Sequence, residues 1–201
     1  KVDDFMFEAV ASGAKWVCLP EVFYSMSDGT TPTPFLVDQQ NEHYQRIQDL
    51  AKKHQVYLLS ATAATYKAGE KKVLNRMYNF DPEGRELVHY DKMNLFSCDL
   101  SRHKSQTVIR ESDIYLHGNT TKILDLGDWK IGLSICFDLR FPELYRYYSS
   151  QGANCFFVPS AFTRTTGRAH WETLLRARAI ENQAYVIAPA QVGEHNEKIK
   201  T

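Results

Sequence analysis

Lys130-Ile131-Gly132-Leu133-Ser134-Ile135-Cys136-Phe137-Asp138-Leu139-Arg140-Phe141-Pro142-Glu143-Leu144 reads as a buried strand that ends on a cysteine and turns into a helix. Leu133 and Ile135 make the strand apolar, Asp138 is a good helix cap, and Pro142 suits the first turn of a helix running on through Tyr145 and Tyr148. A thiol at such an elbow stands clear of the sheet where backbone N–H groups converge. It can attack a carbonyl carbon there and have the resulting oxyanion stabilised. The run by itself leaves a second reading open, a small buried hydrophobe closing a core strand.

Working outward, the same alternation of helix and strand recurs. Val2, Phe5, Met6, Ala9 and Val10 repeat at helical spacing up to Gly13, and Trp16-Val17-Cys18-Leu19 follows as a strand leading to Pro20-Glu21. A second helix carries Tyr44, Ile47, Leu50 and Ala51 on one face, and a strand runs from Val56 to Ala61. Hairpins follow: a turn at Glu70 to Lys72, a strand from Val73 to Phe80, a turn at Asp81-Pro82-Glu83-Gly84 and a strand from Glu86 to Tyr90. Ser97 to Asn119 reads mostly as loop. Lys122 to Leu126 and Trp129 to Ile135 form a hairpin about Gly127-Asp128. Beyond the elbow come a strand from Cys155 to Val158, a helix from about Ala169 to Asn182 and a strand from Ala184 to Ala190. Crossover strands mixed with hairpins predict a layered α/β sandwich with a mixed sheet.

The chain of 201 residues, 43% hydrophobic and 12% aromatic, is long enough for one domain with a substantial core. Lysine plus arginine and aspartate plus glutamate stand at 24 each, so no net field draws the chain to nucleic acid or an acidic membrane. Small molecules or copies of itself are the expected partners. Cys18, Cys98, Cys136 and Cys155 show neither CxxC nor zinc-like spacing, and the seven histidines are scattered, so neither a metal nor another cofactor is expected. The cysteine pattern, the lack of a long apolar run and the polar start predict a cytoplasmic protein with no membrane contact.

Three reactive residues sit at the carboxyl ends of predicted strands: Glu21, Lys92 and Cys136. Strand ends of a layered α/β fold meet at one rim. A cysteine needs a base to become a thiolate, and a desolvated carboxylate can serve if a cation keeps it ionised. Taken singly, Glu21 and Lys92 also read as solvated strand-end charges.

In Leu19-Pro20-Glu21, Tyr90-Asp91-Lys92-Met93-Asn94-Leu95-Phe96 and Cys136-Phe137-Asp138-Leu139-Arg140-Phe141-Pro142-Glu143-Leu144, the chain resembles the nitrilase superfamily of carbon-nitrogen hydrolases. The resemblance continues through Pro159-Ser160-Ala161-Phe162, Thr166-Gly167, Ala169-His170-Trp171-Glu172 and Arg176-Ala177-Arg178-Ala179-Ile180-Glu181-Asn182-Gln183. It implies an α-β-β-α sandwich that pairs to α-β-β-α-α-β-β-α in a dimer. It also implies Glu21 as general base, Lys92 as proton donor and oxyanion partner, Cys136 as nucleophile with the Phe137 N–H facing the oxyanion, and Glu111 as a second glutamate beside them. Pro159 to Phe162 and Ala190 to Lys198 look most like the deaminated glutathione amidase branch. Phe137-Asp138, where true nitrilases have Trp-Glu, favours an amide over a nitrile. Against the family pattern, the single domain over residues 1–201 lacks a first strand, C-terminal strands and a tail, and Arg168 stands where proline is usual.

The implied activity is a cofactor-free thiol amidohydrolase, with an ω-amidase, a carbamoylase or a catalytically silent scaffolding member as alternatives. Ser160, Phe162 and Thr166 fall in motifs expected at the pocket. Arg164 and Arg168 flank the loop Thr163 to Ala169, which in the resembling enzymes lies near it, and arginine suits a substrate carboxylate. Both arginines also read as solvated loop charges. A homodimer or larger even oligomer is expected through the elbow helix and the helix around Leu174 to Ile180, since Tyr145 and Tyr148 would otherwise be exposed. Cys98 is expected near the pocket mouth, as a bystander.

Overall fold

Consecutive residues of a strand face opposite layers, and this alternation organises the molecule. Strand β2 (Tyr57–Thr65) is buried along almost all its length. Its Leu58, Ala61 and Ala63 pack against helices, whereas Leu59 packs against a second sheet. The computed structural model describes residues 1–39, 41–99, 108–195 and 200–201.

In the first sheet β1 (Trp16–Cys18) lies parallel to β2, and β3 (Val73–Phe80) pairs antiparallel on its other side. Strand β3 also carries β4 (Tyr90–Asp91), antiparallel, and β7 (Tyr115–Leu116), parallel. Helices α1 (Val2–Ala11) and α2 (Glu42–His54) cover the outer face through Met6, Ile47 and Ala51. Asn41 caps α2 by accepting the Tyr44 N–H at 3.0 Å. The second sheet has the order β11-β10-β9-β8. Strands β8 (Ile123–Leu126) and β9 (Trp129–Leu133) form a hairpin, with β10 (Cys155–Phe157) and β11 (Tyr185–Ile187) added in parallel. Helices α3 (Pro142–Ser150) and α4 (Arg164–Asn182) pack on its outer face against Phe156 and Val158. Between the sheets, Leu59, Met77 and Tyr90 meet Ile131, Leu133, Ile135, Cys155 and Phe157. The four layers are helix, sheet, sheet, helix, as expected. No helix of the described residues is long and apolar enough to cross a membrane.

Several elements differ from the sequence reading. The described residues of the span 97–119, read mostly as loop, include strands: β5 (Ser97–Asp99) and β6 (Val108–Arg110) form a two-stranded ribbon, and β7 joins the first sheet. The strand expected over Glu86 to Tyr90 shrinks to Tyr90–Asp91 with a single bridge at Glu86. Helix α4 starts at Arg164 rather than near Ala169, because the Thr163 hydroxyl accepts the Thr166 N–H as an N-cap. Thr163 to Ala169 is therefore a cap and first turns of a helix, not a loop. Asp138 does not cap α3. It lies in a separate 3-10 turn, Cys136–Arg140, and Pro142 opens α3. Cys18, within the apolar run Trp16 to Leu19, is half-buried. Tyr145 and Tyr148 are fully buried, their hydroxyls bonded to Ser134 Oγ and to the Leu133 carbonyl. No second subunit is needed to cover them. The side chain of Cys98 lies outside the described residues, so its expected place at the pocket mouth is left open.

Helix α3 approaches β9 so closely that a Cβ added to Gly132 would lie 2.6 Å from the Tyr148 ring. Tyr148 cannot yield without surrendering its bond to Leu133. Gly132→Ala is expected to destabilise the fold by about 1–3 kcal/mol, the usual range for overpacking a core. Chemical denaturation checks this, and an unchanged midpoint would contradict it.

Candidate active site

Glu21 leaves β1 into a tight turn in which Val22 takes a left-handed φ of 48°. A bulge between Leu58 and Ala61, with Ser60 at φ 53°, lets the Ser60 hydroxyl donate to the Leu19 carbonyl at 2.9 Å and steadies that turn. The Glu21 carboxylate is 4% exposed. Its Oε1 accepts from Lys92 Nζ and from Asn75 Nδ2, both at 2.9 Å, and its Oε2 accepts the Ala161 N–H at 2.8 Å. Asn75 Oδ1 has no partner among the described residues. The amide orientation is nonetheless set, because the reverse would turn that oxygen against the carboxylate.

Lys92 is 2% exposed and is held by its backbone on both sides. Its N–H donates to the Asn75 carbonyl at 3.0 Å, and its carbonyl accepts the Gly118 N–H at 2.7 Å. A Cβ on Gly118 would lie 2.2 Å from the Asp91 carbonyl oxygen, so only glycine permits this approach. Glu111, in the 3-10 turn Glu111–Asp113, places both carboxylate oxygens 2.8 Å from Lys92 Nζ. Its Oε2 also accepts the Phe96 N–H at 2.7 Å. An ammonium carries three N–H donors in tetrahedral directions. The two oxygens of one carboxylate are too close together to take two of them, so they share one. Lys92 thus spends one N–H on Glu21 and one on Glu111, and keeps a third.

Cys136 is 8% exposed, in a left-handed conformation with φ 49°, and its N–H donates to the Pro159 carbonyl at 3.0 Å. A non-glycine residue there is strained, as functional elbows often are. The Glu21 carboxylate and the Lys92 ammonium both lie near enough to the thiol to act on its ionisation. Burial, reinforced by the negative charge of Glu21, pushes it well above the ordinary thiol range against the pull of Lys92. Burial alone would lower the Lys92 pKa, but Glu111 and Glu21 outweigh it and hold the ammonium well above its usual value. The resting site is a thiol beside a carboxylate–ammonium–carboxylate array.

The structure thus brings together Glu21, Lys92, Glu111 and Cys136. Phe137 and Phe162 lie beside them, flanking the Arg140 guanidinium at 5.7 and 6.0 Å from their ring centroids. The Phe137 N–H has no partner among the described residues. The remaining expected residues are engaged otherwise. Ser160 is fully buried with its hydroxyl on the Val158 carbonyl. Thr166 bonds back to Thr163 within α4, Arg164 faces Glu194 at 3.6 Å, and Arg168 is exposed on the helix. Sequence reasoning missed Asn75, Asp138 and Arg140. The first two are polar residues in apolar surroundings, which is itself a signal. Arg140 is an arginine one helical turn beyond the cysteine. It donates to His170 Nδ1 at 2.9 Å and has no acidic partner among the described residues.

The profile of the family described as carbon-nitrogen hydrolase matches residues 1–201. A deaminated glutathione amidase of Synechocystis is 40% identical over 196 residues, covering 96% of this chain and 71% of that protein. Omega-amidase NIT2 of Mus musculus is 38% identical over 180 residues, covering 89% and 63%. The crystal structure of the C. elegans NitFhit protein superposes with a TM-score of 0.86 at 32% identity, covering 100% of this chain and 48% of that one.

Proposed function

The chain belongs to the carbon-nitrogen hydrolase family, and from that premise we propose that it is a cysteine amidase cleaving the terminal amide of a small carboxylate-bearing compound to acid and ammonia. The observation that carries this reading is Lys92 held between Glu21 and Glu111, with the Cys136 thiol near enough to feel the charges of both Glu21 and Lys92.

Cys136 Sγ attacks the amide carbon while Glu21 takes the thiol proton. The oxyanion meets the free Lys92 N–H and the Phe137 N–H. Glu21 passes its proton to the nitrogen as the C–N bond breaks, ammonia leaves, and an acyl thioester remains on Cys136. Water then adds to the thioester carbonyl, giving up a proton to Glu21. Collapse releases the acid, and the proton returns to sulfur. Glu111 holds Lys92 in line throughout. No cofactor enters the cycle.

Deaminated glutathione is the substrate favoured by the Synechocystis relative, and short ω-amides of dicarboxylates are the second reading, favoured by the mouse relative. Ammonia release from a panel of both, with a carbamoyl compound and a neutral amide as controls, tests the proposal. Release from none of them would leave the silent, scaffolding alternative. We assign the protein to the cytoplasm, on its free cysteines Cys18, Cys136 and Cys155. A homodimer is assigned through the outer face of α3 and α4, where Tyr147 and Ile180 are 48% and 76% exposed. Sedimentation at micromolar concentration reads it directly.

The cation for the substrate carboxylate is Arg140 rather than Arg164 or Arg168, because Arg140 is the one oriented by two rings beside Cys136. Arg140→Ala is expected to raise KM for a charged amide about tenfold or more over that for its methyl ester, the effect of losing a charged hydrogen bond. Equal effects on both would place recognition elsewhere.

A further inference from the structure

Asp138 is a fully buried carboxylate beside the reaction centre that takes no part in the chemistry above. Its Oδ1 accepts the Asn94 N–H and the Asn94 Nδ2 amide, both at 2.8 Å. Its Oδ2 accepts the Tyr90 hydroxyl at 2.8 Å and the Ile135 N–H at 2.9 Å. Each oxygen thus has two donors, and no position is left for an acid proton. Burial works the other way and raises the Asp138 pKa, but these four bonds suit only the carboxylate.

What matters is where the donors come from. Tyr90 and Asn94 bracket Lys92 along the chain at the edge of the first sheet, and Ile135 immediately precedes Cys136 at the end of the second. One side chain therefore ties the lysine segment to the cysteine elbow across the boundary between the sheets. Backbone hydrogen bonds hold each segment within its own sheet, but β4 is only two residues long and the elbow leaves the second sheet at Cys136, so it is Asp138 that joins the two. Separating Lys92 from Cys136 would break at least one oxygen's pair of charge-assisted hydrogen bonds, which are stronger than neutral ones.

We infer that Asp138 is a positioning residue which, by clamping Tyr90 and Asn94 to Ile135, sets the distance between the Lys92 ammonium and the Cys136 sulfur. The inference rests on the reading that these two groups carry the reaction. Its loss should lower turnover while leaving substrate affinity intact, since none of its atoms is free to face a ligand.

Asp138→Asn keeps the shape but replaces one acceptor oxygen with an NH2 that must face two donors, opening one side of the clamp. Tyr90→Phe removes a single bond and keeps the carboxylate. For Asp138→Asn, kcat should fall about a hundredfold with KM within about twofold, the scale of a misplacement near 1 Å. For Tyr90→Phe, kcat should fall about tenfold. The rate of Cys136 alkylation by iodoacetamide, followed by peptide mass spectrometry, should fall in the same order. Alkylation needs no amide substrate, so it tests the clamp even if the parent protein hydrolyses none and the amidase reading fails. Gly132→Ala serves as a control for general loss of stability. The inference is overturned if kcat and alkylation stay within about threefold of the parent, or if Gly132→Ala at matched loss of stability loses as much of both. If Asp138→Asn does not fold, Tyr90→Phe decides by the same criteria.

Discussion

Lys92→Ala is expected to lower kcat/KM by about a thousandfold or more and to destabilise the fold by about 3–5 kcal/mol at neutral pH, the penalty for removing one partner of a buried ion pair. Lys92 is the cation shared by the buried Glu21 carboxylate and the partly buried Glu111 carboxylate, with Glu21 Oε1 at 2.9 Å and both oxygens of Glu111 at 2.8 Å. Without it the two carboxylates face each other in a dry site. The variant must take up a proton or accept the repulsion, so its stability deficit should shrink as pH is lowered and widen as pH is raised. Adding Glu111→Gln to Lys92→Ala removes one of the two charges and should recover stability but none of the rate. Urea denaturation across pH, with ammonia release assayed alongside, checks both halves. Near-normal turnover in a folded Lys92→Ala protein would contradict the mechanism.

Glu21→Gln and Cys136→Ala should each lose at least about a hundredfold in kcat, and the double variant should lose no more than the worse single one. Non-additivity is expected because every proton Glu21 moves belongs to a step that runs through the Cys136 thiol or its thioester, so nothing is left for the carboxylate to do once the sulfur is gone. The expected pH profile follows from the same proton transfer. Burial and the charge of Glu21 hold the Cys136 thiol well above its ordinary range. A raised pKa favours the neutral form, so ionisation of the free thiol lies beyond the working range. The rate should therefore show no rising limb near about pH 8.5, where an unperturbed thiol ionises. Such a limb, or additive losses in the double variant, would mean that Cys136 reacts as a pre-formed thiolate. Cys18 and Cys155, whose burial raises their pKa to about 12 and about 11, lie beside no cation and should label slowly as well.

Periodicity made most of the fold legible before any coordinates. Helix α1, strand β3 and the β8–β9 hairpin lie within a residue or two of their predicted ends, and α2 carries its predicted apolar face, because each buries one regular face in a core that demands it. The elements that were misread lack that regular face. Strands β5, β6 and β7 are two or three residues long and show no period. The first turn of α4, Arg164-Thr165-Thr166-Gly167, is polar and contains a glycine, so its helicity rests on the Thr163 cap rather than on propensity.

The sequence by itself determined the α/β class and pointed to Glu21, Lys92 and Cys136, which short motifs place at strand ends, while Glu111 came only from the family resemblance. What only the tertiary structure decided is how those groups are charged and held. Asn75 donating to Glu21, the Ala161 N–H on its other oxygen, and Tyr90 and Asn94 donating to Asp138 are contacts across dozens of residues of chain. Such contacts leave no local pattern, because a hydrogen bond depends on where two sheets and their loops meet in space, and period and propensity record only which face of an element is buried.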